Sequence, residues 1–128
     1  MTYKLGKRTQ RILTTVNPDL KRIAERAIQL TPVDFGIPLS GGYRTPLDQN
    51  ELFKDGASKC DGFKKMSKHQ TGSALDFYAY VNGRANWDTE NLALIASAFL
   101  QAANELGVTL EWGGLWKNFK DYPHIQLA

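Results

Sequence analysis

Residues 67–81 read Ser-Lys-His-Gln-Thr-Gly-Ser-Ala-Leu-Asp-Phe-Tyr-Ala-Tyr-Val, and the second half of this stretch alternates in character from one residue to the next. Ala74, Asp76, Tyr78 and Tyr80 fall on one face and Leu75, Phe77, Ala79 and Val81 on the other, the pattern of a β-strand from Ser73 to Val81. Downstream, Asp88 or Thr89 caps a long helix whose apolar stripe runs through Leu92, Ile95, Ala96, Phe99, Ala103 and Leu106 before Gly107 ends it. Val108 to Trp112 alternates again, Gly113-Gly114 supplies a turn, and His124 to Leu127 makes a final short strand. Upstream, Asn17-Pro18-Asp19 opens a helix with Leu20, Ile23, Ala24, Ala27 and Ile28 on one stripe, and Thr31-Pro32 closes it. Thr45-Pro46 repeats the opening signal for a short helix over Leu47 to Lys54 that ends near Gly56. Helices first, then strands interleaved with one long helix, predict an α+β fold. We expect one domain over residues 1–128, its small, mainly antiparallel sheet packed against about three helices.

A chain of 128 residues with 42% hydrophobic and 11% aromatic content is long enough to bury most of one core. The charged fraction is 23%, and no segment is biased or repeated, which argues against a disordered chain or a solenoid. The net charge of +3 comes mainly from Lys4, Lys7, Arg8 and Arg11 and from Lys59, Lys64, Lys65 and Lys68. Such a balance suits an anionic polymer, but no aromatic-basic motif accompanies it, so a nucleic-acid partner is not expected. Cys60 is the single cysteine, so no intrachain disulfide can form; it reads as a free surface thiol in an exposed loop from Asp55 to Lys68. Met1 to Val16 lacks the apolar core of a secretory signal, and no run is long enough to span a bilayer.

The chemistry concentrates around the two histidines, each close to an acid: His69 with Asp76, and His124 with Asp121. Imidazole and carboxylate are ligands that zinc accepts, and a catalytic zinc uses three protein ligands while leaving a fourth position open. Asp76, amid an apolar strand, needs a cation to offset desolvation, and a metal, Arg44 or a neighbouring hydroxyl would each meet that need. Gly72 permits a tight turn between His69 and Asp76, and the small Ala74 leaves room on the Asp76 face. In Asp121-Tyr-Pro123-His124, proline fixes the backbone between the second acid and the second histidine.

These residues resemble the zinc D-Ala-D-Ala peptidases and, within that group, the phage L-alanyl-D-glutamate endopeptidases that serve as endolysins. The pattern S-x-H-x-x-G-x-A-x-D is met by Ser67, His69, Gly72, Ala74 and Asp76, and the acid three residues before a histidine by Asp121 and His124. Ser40-Gly-Gly-Tyr-Arg44-Thr-Pro-Leu-Asp-Gln49 reproduces an upstream stretch of the family that carries an arginine and a glutamine. The resemblance implies a hedgehog/D-Ala-D-Ala-peptidase-like fold with one Zn2+ per chain on His69, Asp76 and His124. It further implies Asp121 as general base and Arg44 as a stabiliser of the oxyanion. Gln49, Ser67 and Glu111 are secondary candidates, able to orient a ligand's free nitrogen or grip a substrate carboxylate.

The substrate implied is the peptidoglycan stem peptide, cut by a monomer that is made in the host bacterial cytoplasm without a signal peptide and acts on the wall after release. Trp87, Trp112 and Trp116 are expected in the core before any groove. One departure stands out: Trp112-Gly113-Gly114 is followed by Leu115, where the family often has aspartate. A D,D-carboxypeptidase or dipeptidase of the same group would share the metal site. A non-catalytic zinc module that binds the wall would keep the metal and lose the base, and Asp121 argues against it.

Overall fold

The computed structural model describes residues 2–128. Three helices follow their sequence signals closely. Helix α2, Pro18–Leu30, is capped by Asn17, whose side chain accepts the Asp19 N–H at 2.8 Å. Helix α3, Pro46–Lys54, carries a complete capping box between Thr45 and Asp48. Helix α4, Thr89–Leu106, ends on Gly107 in the left-handed region at φ 72°. A fourth helix, α1 over Lys7–Leu13, precedes them. It starts at Gly6 with no side-chain cap, and only Thr9 and Leu13 are buried, so it carries little of the apolar spacing that marks the others.

The strand expected over Ser73–Val81 is two strands in two sheets. Strand β2, Ala74–Asp76, pairs antiparallel with β6, His124–Leu127, and β6 pairs on its other side with β5, Leu110–Trp112. Strand β3, Tyr78–Val81, lies between β1, Phe35–Gly36, and β4, Arg84–Asn86. Phe77 is the point of exchange: its N–H donates to Pro123 O at 2.8 Å, and its side chain is fully buried. The alternation of side chains runs unbroken through it, which is why the sequence shows one strand while the hydrogen-bond partners differ on either side. The β3–β4 connection is the Asn82-Gly83 pair with both residues at positive φ, as a two-residue hairpin turn requires.

The core lies between α2, α4 and the two sheets. Leu20, Ile23, Ala24 and Ala27 of α2 face Leu92, Ile95, Ala96, Phe99 and Ala103 of α4, and these helices make the most extensive contact between elements. Phe99 meets Phe77 and Phe35, with ring centroids 5.4 and 4.9 Å apart. Leu106, expected on the buried stripe, sits at its margin with 36% exposure. Of the three tryptophans only Trp112 is a core neighbour; Trp87 is 54% exposed beside Tyr78, and Trp116 is half-buried beside His124. The segment expected as a loop from Asp55 to Lys68 is irregular up to Ser67 and largely exposed, and Cys60 in it is a free, half-buried thiol.

Candidate metal centre

His69 stands on a one-turn 3-10 helix, Lys68–Thr71. Ser67 caps that turn through its side chain and Gln70 reciprocates, while Gly72 at φ 69° leads the chain into β2. Asp76 closes β2, and the β2–β6 register sets it directly opposite His124. Two imidazoles and a carboxylate from separated parts of the chain therefore meet: His69 Nε2 is 3.3 Å and His124 Nδ1 3.0 Å from the same oxygen, Asp76 Oδ1. Their potential ligand atoms all lie within 4.8 Å of one another. His69 and His124 are buried and Asp76 is partly so.

Each of the three is fixed from behind. His69 Nδ1 is 2.9 Å from Gly42 O, and since a carbonyl only accepts, this nitrogen carries a proton and Nε2 is the ring atom that faces Asp76. Asp76 Oδ2 accepts from Arg44 Nη2 at 2.8 Å, so Oδ1 is the oxygen that faces the imidazoles. His124 Nε2 is 2.9 Å from Gln126 Oε1. Two imidazole nitrogens and a carboxylate oxygen brought together in this way match the donor set of a cation site.

The stretch from Ser40 to Arg44 supplies the wall behind the site. Three successive carbonyls are used: Ser40 O by Arg44 Nε, Gly41 O by the Asp76 N–H and Gly42 O by His69 Nδ1. Its glycines are needed for close approach, since a Cβ on Gly42 would stand 2.5 Å from Ile12 Cγ2 of α1. Gln49, fully buried, accepts from Arg44 Nη1 at 3.0 Å and donates to Ser58 Oγ and Cys60 O, both at 2.8 Å. Arg44 is thus held at three points and commits one of its N–H groups to Asp76. The arginine and the buried acid are partners, as one reading of Asp76 expects, and the histidines are partners as well.

Asp121 lies to one side, its Oδ2 3.9 Å from His124 Nδ1 and its side chain 46% exposed. Gly113 is what lets its loop pack: the Asp121 N–H donates to Gly113 O at 3.0 Å, and a Cβ on Gly113 would meet Asp121 O at 2.3 Å. A Cβ on Gly114 would strike the Trp112 ring at 2.3 Å, so both glycines after Trp112 have a steric reason. Leu115, where the resemblance often places an aspartate, is 70% exposed. Glu111 accepts from Gln126 Nε2 at 3.0 Å. Gln126 is the residue of this cluster that sequence reasoning misses; its signal, position i+2 from His124 on the same strand face, becomes meaningful only when the neighbouring strands are known.

The charges reinforce one another. Burial alone would raise the Asp76 carboxyl, but hydrogen bonds from His124 and His69 outweigh it and hold the group well below the usual carboxylate range. Burial would lower His124, yet its bond to Asp76 and that carboxylate's charge raise it. Asp121 is raised, first by burial and then by the charge of Asp76. A depressed acid stabilises the fold above its unfolded pKa of about 4, and a raised histidine does so below its unfolded value of about 6.5. Metal-free wild type is therefore expected to exceed a metal-free His124→Gln variant in stability most clearly between those values. That margin shrinks as pH rises through the folded pKa of His124, and again in acid as Asp76 takes up a proton; urea unfolding of both proteins with chelator across this range measures it.

A groove of about 800 Å³ between α1 and α2, with Lys4, Lys7, Arg11 and Lys21 among its lining, shares no residue with this cluster. The cluster itself is a group of three side chains that could hold a metal ion, with the Asp121 carboxylate beside it. The family model of the phage L-alanyl-D-glutamate peptidases matches residues 1–127, and the chain belongs to that family. It is 40% identical over 123 residues to the L-alanyl-D-glutamate peptidase of Escherichia phage T5, covering 95% of this chain and 88% of the relative. It is 31% identical over 125 residues to the peptidoglycan L-alanyl-D-glutamate endopeptidase CwlK of Bacillus subtilis (strain 168), covering 88% and 73%. The crystal structure of the Serratia marcescens L-Ala D-Glu endopeptidase ChiX superposes with a TM-score of 0.86 at 36% identity, over 99% of this chain and 91% of that one.

Proposed function

We propose that this protein is a zinc-dependent endolysin that hydrolyses the L-alanyl-D-glutamate bond of peptidoglycan stem peptides. The observation that carries the reading is the convergence of His69 Nε2, Asp76 Oδ1 and His124 Nδ1, each backed by a partner that fixes which atom faces inward. Two imidazoles and one carboxylate suit zinc with a fourth position free for solvent. The L-alanyl-D-glutamate bond named for the phage T5, Bacillus and Serratia relatives supports the choice of bond. Zinc, when bound there, supplies a Lewis acid that polarises the scissile carbonyl and makes water acidic enough to attack at neutral pH.

The remaining steps belong to the chain. Asp121 takes the proton of the attacking water and returns it to the leaving amine, a transfer its half-exposed position beside His124 allows. Arg44 keeps a buried positive charge behind Asp76, where its field favours the negative charge that develops on the substrate carbonyl oxygen. Gln49 holds Arg44 in place, and Ser67 holds the turn that carries His69. Trp116, with its ring 5.2 Å from that of His124, forms part of the wall a stem peptide meets.

The protein acts as a monomer on the wall after release from the cytoplasm in which it is made; no helix of the described residues is long and apolar enough to cross a membrane. Digestion of purified peptidoglycan followed by mass spectrometry tests the assignment. The expected products are glycan strands whose stems are cut back to L-Ala and peptides beginning with D-Glu, absent with chelator and restored by zinc. Release of terminal D-Ala alone would assign a D,D-carboxypeptidase instead.

A further inference from the structure

We propose that Gln126, backed by Glu111, is a positioning residue for the metal centre, holding the Nε2–H of His124 so that the Nδ1 lone pair faces the ion. This rests on the zinc reading given above. The register of the three-stranded sheet sets it up: Asp76 stands opposite His124, and Gln126, two residues further along β6, stands between Ala74 of β2 and Glu111 of β5. Alternation puts all five side chains on one face.

The direction of the hydrogen bonds is forced. A carboxylate only accepts, so the Gln126 atom 3.0 Å from Glu111 Oε2 is the amide nitrogen, and the amide oxygen is the atom 2.9 Å from His124 Nε2. That oxygen also only accepts, so Nε2 carries the proton. The need for such enforcement is local. With no ion present, the acceptor nearest His124 Nδ1 is Asp76 Oδ1 at 3.0 Å, which favours a proton on the very nitrogen that must be bare to ligate. A contact on the far side of the ring has to hold the other tautomer. His69 has the same support from a backbone carbonyl, which no substitution removes, whereas His124 depends on two side chains.

The test is zinc affinity by competition with a chromophoric chelator, read together with the His124 Nε2–H resonance of zinc-loaded protein. Gln126→Met keeps length and loses the acceptor; its affinity is expected to fall about 10- to 100-fold, with Nε2–H exchanging rapidly. Exchanging the pair, Gln126→Glu with Glu111→Gln, restores an acceptor for His124 and a donor for that acceptor, and affinity returns to within a few-fold of wild type. If Gln126→Met does not fold, the exchanged pair decides, and weak zinc binding by it overturns the inference. Unchanged affinity and a slowly exchanging Nε2–H in Gln126→Met overturn the inference and leave the zinc reading standing. A wild-type protein that binds no zinc overturns both.

Discussion

Asp76→Asn protein is expected to purify without stoichiometric zinc, to leave peptidoglycan uncut, and to melt well below the wild type even when both are metal-free. Three partners lose the one carboxylate charge they share. His69 Nε2 and His124 Nδ1 share Asp76 Oδ1, and Arg44, with only 9% of its side chain exposed, shares Oδ2. Breaking a buried pair by neutralising one member costs about 3 kcal/mol, because the remaining charge stays desolvated. For a domain of this size that is a fall of about 10 °C in Tm. Metal analysis and calorimetry of chelated proteins measure the two effects separately. A variant that kept a full complement of zinc would remove Asp76 from the ligand set, and one that lost zinc without losing stability would show that the Arg44 contact contributes little.

Asp121→Asn is expected to separate binding from chemistry. The asparagine keeps the size of the side chain and the backbone bonds to Gly113 and His124, so the fold and the zinc content should match the wild type. What is lost is a proton acceptor, and removal of a general base lowers kcat roughly 100- to 10,000-fold. KM should change little, and the acid limb of the pH profile that reports ionisation of Asp121 should vanish. Turbidity clearance of purified walls, with metal content measured on the same samples, checks this. Wild-type rates in a zinc-loaded variant would assign the base elsewhere.

The three ligand candidates were legible in the sequence because histidine is scarce here and each copy lies near an acid. Helices α2, α3 and α4 were legible because Asn17-Pro18, Thr45-Pro46 and Gly107 are chemical signals that act within a few residues. What lay hidden depends on partners distant in the chain. Nothing within residues 73–81 reports that the strand changes sheets at Phe77, since each half keeps the same alternation. The work of Ser40, Gly41 and Gly42 is done by their carbonyls, which every residue possesses, so no side chain announces it. Gln126 gains its meaning from two registers at once. The Asn82-Gly83 turn, by contrast, carries its own sequence signal, and the hairpin it makes belongs to the other sheet from the one that pairs Asp76 with His124.

Asp76 and Phe77 are neighbours that serve opposite sides of the molecule, one turned to the two histidines and the other packed on Phe99. A single peptide unit thus joins the candidate metal centre to the hydrophobic interior, with no intervening residue to absorb movement. Engineering for heat tolerance should leave this junction alone: a bulkier or smaller side chain at 77 would tilt the carboxylate next to it, and what was gained in endurance would be forfeited in turnover.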